Sequence, residues 1–374
     1  MTLTQWLVPL GVFVAVTGLG GILVLVSGVV PIKASAEHWP ITAWFLEFGK
    51  RRSVSTHTLG AKTPQIDDPA LVLRGAGHFD IGCRPCHGSP DLTRPRIAHA
   101  MTPKPPYLPP QIAKWAPDEL FYIVKHGIKF TGMPAWPAQH RDDEVWSMVA
   151  FLRRLPSLDS GAYRRLVFGD VGEPSKGAPM ADLDAAPEPP PPQPIVDVCA
   201  RCHGVDGNGR GEGAFPRLNG QRPQYLEQAL RAYATSHRPS GIMGPIAAAL
   251  DDKTLANVVS YYARQPPMGR LEAAASATRG AQIAHRGIPQ QLVPACLDCH
   301  GPAPDRNPAY PRLDGQYGEY LRLQLDLFAQ GVRGGSPYAH IMQPIASRLT
   351  PDQMRDVAAY FASAGDTLKT AARY

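Results

Sequence analysis

The pentapeptide Cys-x-x-Cys-His occurs three times in this chain of 374 residues, and all six cysteines belong to a copy. The copies are Cys83-Arg84-Pro85-Cys86-His87, Cys199-Ala200-Arg201-Cys202-His203 and Cys296-Leu297-Asp298-Cys299-His300, each followed by glycine. Six cysteines are too few for a disulfide scaffold of this length. A structural zinc site would need further ligands at similar spacing each time. A redox dithiol would sit in a βαβ pattern, and none is present. Two thiols with an adjacent histidine are the attachment signal for c-type haem. The thiols form thioethers to the haem vinyls, and the histidine ligates the iron. The expectation is three covalently bound haem c groups, on Cys83/Cys86, Cys199/Cys202 and Cys296/Cys299, with His87, His203 and His300 as iron ligands.

A sixth ligand is sought downstream of each motif. Met133, Met243 and Met342 lie 46, 40 and 42 residues past their histidines, each with proline within two residues. Ile242-Met243-Gly244-Pro245-Ile246-Ala247 and Ile341-Met342-Gln343-Pro344-Ile345-Ala346 share one local pattern. Methionine is often a flexible core filler. Three at matching offsets favour ligation, which suits electron transfer at a raised potential. Met148 and Met354 fall at apolar helix spacings and read as core. His126 and His340 are the leading rivals.

These stretches resemble class I cytochromes c. The pieces CARCHGVDGNG, FPRLNGQRPQYLEQAL and IMGPIAAALDD, repeated as CLDCHG, YPRLDGQYGEYLRLQL and IMQPIASRLTPDQM, look like the halves of periplasmic dihaem cytochromes of the c-four type. The first module, with HGIKFTGMPAWP, resembles single-haem domains on membrane-bound respiratory proteins. The resemblance implies an all-helical wrapper with His/Met ligation. Periodicity agrees: Val145, Val149 and Leu152 share one helix face, as do Leu255, Val258, Val259 and Tyr262. Thr350-Pro351-Asp352-Gln353 reads as a capped helix start, with Val357 and Phe361 on the buried face that follows. Opening helices are expected over 70–82 and 272–285. Module two has no room for one between its prolines and Cys199.

The run from Leu7 to Val30 carries no charge, and about 20 apolar residues span a bilayer. It reads as a transmembrane anchor. Ala34-Ser35-Ala36 leaves signal-peptide cleavage as an alternative. Lys33, Lys50, Arg51 and Arg52 would draw the bulk of the chain to the cytoplasm. Haem c attachment, tied to the exported side, outweighs that bias. Trp39 to Phe48 reads as an interfacial helix whose basic end lies at phospholipid headgroups.

The expected fold class is therefore all-α, an N-terminal transmembrane helix followed by three class I cytochrome c domains. The segments are an anchor at 1–32, an interfacial helix and stalk at 33–70, and domains at 71–156, 195–266 and 267–374. A proline-rich linker at 157–194 accounts for much of an unusual 40 prolines and, as stiff polyproline II, would space module one from the later pair. Modules two and three should pack as one unit.

The formal charge of +6 is balanced by haem propionates, and no basic stripe with stacking aromatics points to nucleic acid. The expected function is single-electron transfer in a respiratory chain. The site would be the periplasmic face of a bacterial inner membrane, delivering to a terminal haem-copper oxidase or acting as its subunit. The alternatives are an electron-accepting subunit of a periplasmic dehydrogenase, or a haem peroxidase. The latter would need one iron without a strong sixth ligand. No flavin, nicotinamide or quinoprotein signature makes this chain itself a catalyst.

Overall fold

The computed structural model describes residues 3–30, 32–169, 198–211, 213–272, 276–303 and 305–364. Among these residues the chain is helical without strands, apart from two isolated bridges, Ser89 with Leu92 and Ile288 with Val293. Helix α1 (Leu3–Val26) is long and apolar enough to cross a membrane, with a mean hydropathy of 2.3 over Trp6–Val26. Its side chains from Trp6 onward are exposed.

Helix α2 (Pro40–His57) runs well past the aromatic stretch expected to form it. Trp44 and Phe48 stack at 5.7 Å on the exposed side. Its other end docks on module one, where Val54 is buried and His57 stacks on Tyr122 at 5.4 Å. Lys50 and Arg51 both pair with Glu47 and lie over the Trp115 ring. Those two cations, expected at headgroups, are engaged within the protein.

Module one is built on the crossing of α3 (Pro69–His78) with α5 (Asp142–Arg154), with α4 (Pro117–His126) alongside. Asp68 caps α3 through the Ala70 amide at 2.9 Å. Helix α5 carries Asp142, Asp143 and Glu144 in its first turn and Arg153 and Arg154 in its last, matching the helix dipole. Val145, Val149 and Leu152 are buried as the periodicity requires.

The chain continues into α6 (Ser160–Phe168), inside the segment expected to be linker. Asp159 caps it through the Ala162 amide at 2.6 Å. Tyr163, Val167 and Phe168 close the core of module one. Their near-i,i+4 spacing gives one apolar face, overshadowed in the sequence by the prolines that follow. The rest of the expected linker, 170–194, lies outside the described residues.

Module two contains α7 (Pro223–Ala234), α8 (Met243–Ala248) and α9 (Asp252–Arg264). The approach to its first cysteine lies outside the described residues up to 197. Module three contains α10 (Ala277–Arg286), α11 (Gly318–Ala329), α12 (Ala339–Ala346) and α13 (Pro351–Ser363). The Thr350–Gln353 capping box forms in both directions, at 3.3 and 2.8 Å. Helices α10 and α13 cross as α3 and α5 do. Gly280 makes this possible, because a Cβ there would overlap the Asp356 carbonyl oxygen. Gly280→Ala should cost about 1–3 kcal/mol of stability by overpacking. A urea unfolding midpoint equal to wild type would contradict that close approach.

Modules two and three pack as one unit through a reciprocal pair of buried glutamines. Gln221 exchanges two hydrogen bonds with the Arg312 backbone, at 2.9 and 2.7 Å. Gln316 does the same with Arg217, at 2.9 and 3.0 Å. Module one, expected to be held away, packs directly on module two. Arg74 Nε donates to the Ala214 carbonyl at 3.1 Å, and Arg141 to that of Pro239 at 2.8 Å. Polyproline stiffness says nothing about side chains that meet across a hundred residues.

Candidate haem sites

Each attachment motif forms one helical turn, Arg84–His87, Ala200–His203 and Leu297–His300. Two cysteines three apart on such a turn face the same side, with the histidine next to them. Gly88 and Gly204 follow at φ +70° and +76°, turning the chain away.

All three histidines are held alike. His87 Nδ1 lies 2.8 Å from the Pro106 carbonyl, His203 Nδ1 3.0 Å from that of Pro216, and His300 Nδ1 3.0 Å from that of Pro311. A carbonyl only accepts, so Nδ1 carries the proton and Nε2 presents a lone pair. Burial lowers the pKa of all three, keeping them neutral as iron ligation requires. The prolines were not singled out from sequence, although the repeated Pro-Arg-Leu of modules two and three held the signal.

Four of the thiols are held neutral too. Burial pushes Cys83 and Cys202 up to about 12, and Cys199 and Cys296 to about 11. A redox dithiol needs the opposite shift. Among the described residues, no three His, Cys, Asp or Glu side chains cluster as a metal site would demand.

In module three, Cys296, Cys299, His300 and Met342 line one cavity with about 1260 Å³ of empty space, its open mouth included. Leu321, Leu325, Phe328, Val357 and Phe361 make its wall apolar. One apolar space thus holds both attachment cysteines, the histidine and the methionine, which suits a flat macrocycle. Met133 and Met243 are likewise half-buried, whereas Met148 and Met354 sit in hydrophobic cores. His126 packs tilted against Tyr122 at 4.7 Å, and His340 Nδ1 is held by the Pro337 carbonyl at 2.8 Å.

Two guanidiniums complete the picture, Arg238 buried and Arg333 half-buried. Arg238 of module two and Arg333 of module three meet at the Tyr225 hydroxyl, at 3.5 and 3.3 Å. Arg238 also donates to Tyr320 and Gln324, both at 3.0 Å. Neither ion-pairs with a carboxylate among the described residues, and Arg333 Nε has no partner. Burial and then the Arg238 charge push the Arg333 pKa down. Buried cations require counter-charge. Haem propionates have the right charge, so the cavity, the presented nitrogens and the two guanidiniums without a carboxylate together fit haem.

The family model described as "Cytochrome C oxidase, cbb3-type, subunit III" matches residues 70–152, and that described as "Cytochrome c" matches 193–264 and 277–365. The "Thiosulfate dehydrogenase electron acceptor" of Stutzerimonas stutzeri (strain A1501) is 37% identical over 178 residues, 46% of this chain and 81% of that protein. The chain belongs to the cytochrome c family. This cytochrome is also 32% identical to "Cytochrome c4" of Thiocapsa roseopersicina over 166 residues, 44% of this chain and 85% of that one. A solved cytochrome c4 structure from Acidithiobacillus ferrooxidans is 36% identical, with a TM-score of 0.40, spanning 44% of this chain and 98% of its own. Cytochrome c domains imply covalently bound haem c and electron transfer as the activity of this cytochrome.

Proposed function

We propose that this cytochrome is a membrane-anchored trihaem carrier that delivers single electrons to a terminal haem-copper oxidase, or serves as its subunit. The observation that carries this reading is the match of module one to the family described as subunit III of a cbb3-type oxidase. Helix α1 would anchor the chain in a bacterial inner membrane, with the three modules in the periplasm. Exposed Trp39, just before α2, and Trp44, Phe45 and Phe48 on it suit the lipid boundary.

Cys83/Cys86, Cys199/Cys202 and Cys296/Cys299 would bind the three haems through thioethers. His87, His203 and His300 would present Nε2 as fifth ligands, and Met133, Met243 and Met342 their sulfurs as sixth. When bound, haem c supplies a one-electron centre whose iron cycles between the ferric and ferrous states. Thioethers, softer than imidazole, favour the ferrous state and so a raised potential. The proline carbonyls orient the histidines, and the apolar walls exclude water.

A second reading, the electron-accepting partner of a periplasmic dehydrogenase, is favoured by the name of the Stutzerimonas stutzeri relative. The two readings combine if electrons enter at modules two and three and leave from module one. Affinity purification of the tagged cytochrome from native membranes tests this. Oxidase subunits should co-purify. A dehydrogenase recovered without oxidase would favour the second reading.

A further inference from the structure

Modules one and two meet around two buried carboxylates, both supplied by module one. Asp80 is 3% exposed. One oxygen pairs with Arg84 Nε at 2.8 Å and accepts from the Tyr163 hydroxyl at 2.9 Å; the other pairs with Arg201 at 2.8 Å. Arg84 and Arg201 are the variable residues inside the first and second haem motifs. One carboxylate thus ties the two attachment turns together. Arg210 reinforces the contact by donating to the Arg201 carbonyl at 2.5 Å. It also donates to the Val167 and Leu166 carbonyls that end α6, at 2.8 and 3.0 Å.

The second clamp joins the methionine loops. Glu144, also 3% exposed, accepts from Trp136 Nε1 at 3.1 Å, and Trp136 follows Met133 by three residues. From module two it accepts the Ser240 hydroxyl at 2.5 Å and the Gly241 amide at 2.7 Å. Ser240 in turn accepts the Met243 amide at 2.9 Å. Between the clamps the modules come close: a Cβ on Gly77 of α3 would sit 3.0 Å from Cys202 Sγ. Cys83 lies six residues further along that same helical run.

We propose that modules one and two form a fixed electron-exchange contact, with Asp80 and Glu144 as its positioning residues. This rests on the reading above that both motifs carry haem. In each exchange one ferrous iron becomes ferric and one ferric iron becomes ferrous, with no bond or proton transferred. Tunnelling falls steeply with separation, so the contact must hold one geometry. Desolvated charge pairs specify register in this way even where they add little stability. Module two packs against both others, so electrons cross the chain in the order of its modules.

The test uses the full holoprotein, with intact mass first confirming the haem count. After photoreduction by one electron, wild type should redistribute it among the haems at rates independent of protein concentration. A phase proportional to concentration would mean that module one exchanges by collision, and would overturn the proposal. Gly77→Leu, a wedge beside Cys202, should slow the intrachain phase; an unchanged rate counts against the contact. Arg201→Gln breaks one clamp and is read at the other, by hydrogen exchange of the Gly241 amide. That exchange should speed up by roughly a hundredfold, with Arg201→Lys restoring part of the protection. Unchanged exchange would show two independent contacts rather than one fixed interface. Arg210→Gln serves as a second variant should Arg201→Gln fail to mature. Fewer than three haems in wild type would instead remove the reading on which the proposal rests.

Discussion

Replacing Cys296 and Cys299 together by serine is expected to remove one haem and unfold module three. The cavity they line takes its wall from the same residues that pack α10, α11 and α13, including Leu321, Val357 and Phe361. The cofactor would therefore share the core of module three. Leaving that wall unfilled costs about 24 cal/mol per Å³ of void, on the order of a few kcal/mol against the ~5–15 kcal/mol that stabilises a whole domain. Circular dichroism should show the loss of helix. Intact mass should show exactly one haem fewer than wild type. Native helicity in a protein lacking that haem would mean that module three folds around something else.

The second large effect concerns Arg238 and Arg333. Both guanidiniums lie at the seam between modules two and three without a carboxylate partner among the described residues. A buried positive charge near a haem stabilises its ferrous, less positive state and so raises its potential. Arg333→Met should lower the potential of the neighbouring haem by on the order of tens of millivolts, because Coulomb terms are weakly screened there. The histidine and methionine ligation should be unaffected. A potentiometric titration with all midpoints unmoved would show that the two cations do not face the propionates.

Much of this was legible from the chain. The motifs, the opening helices of modules one and three, the closing helices and the capping box at Thr350 are local patterns, and local patterns survive folding. The Asp80 and Glu144 clamps are not local. Each joins residues about a hundred or more positions apart, and neither carboxylate stands out in composition or period. The histidine-orienting prolines were harder to see for another reason: the Pro-Arg-Leu repeat marks two of them, but a carbonyl acceptor is available at every residue, and geometry is needed to show that these are used. Arg238 and Arg333 recur 95 residues apart within the repeat. Their need for an anion emerges only once their surroundings are seen. Helix α6 was masked by the prolines beyond it, although Tyr163, Val167 and Phe168 carry an apolar face.

The most direct test of the central claim is the near-infrared charge-transfer band of Met-ligated ferric haem, recorded on the oxidised holoprotein and on its Met133→Ala variant. Three haems with His87/Met133, His203/Met243 and His300/Met342 ligation predict a band of three-haem intensity in wild type and two-thirds of it in the variant. Full intensity in Met133→Ala would exclude Met133 as a ligand, make His126 the candidate for module one, and contradict the account of three alike electron-transfer centres.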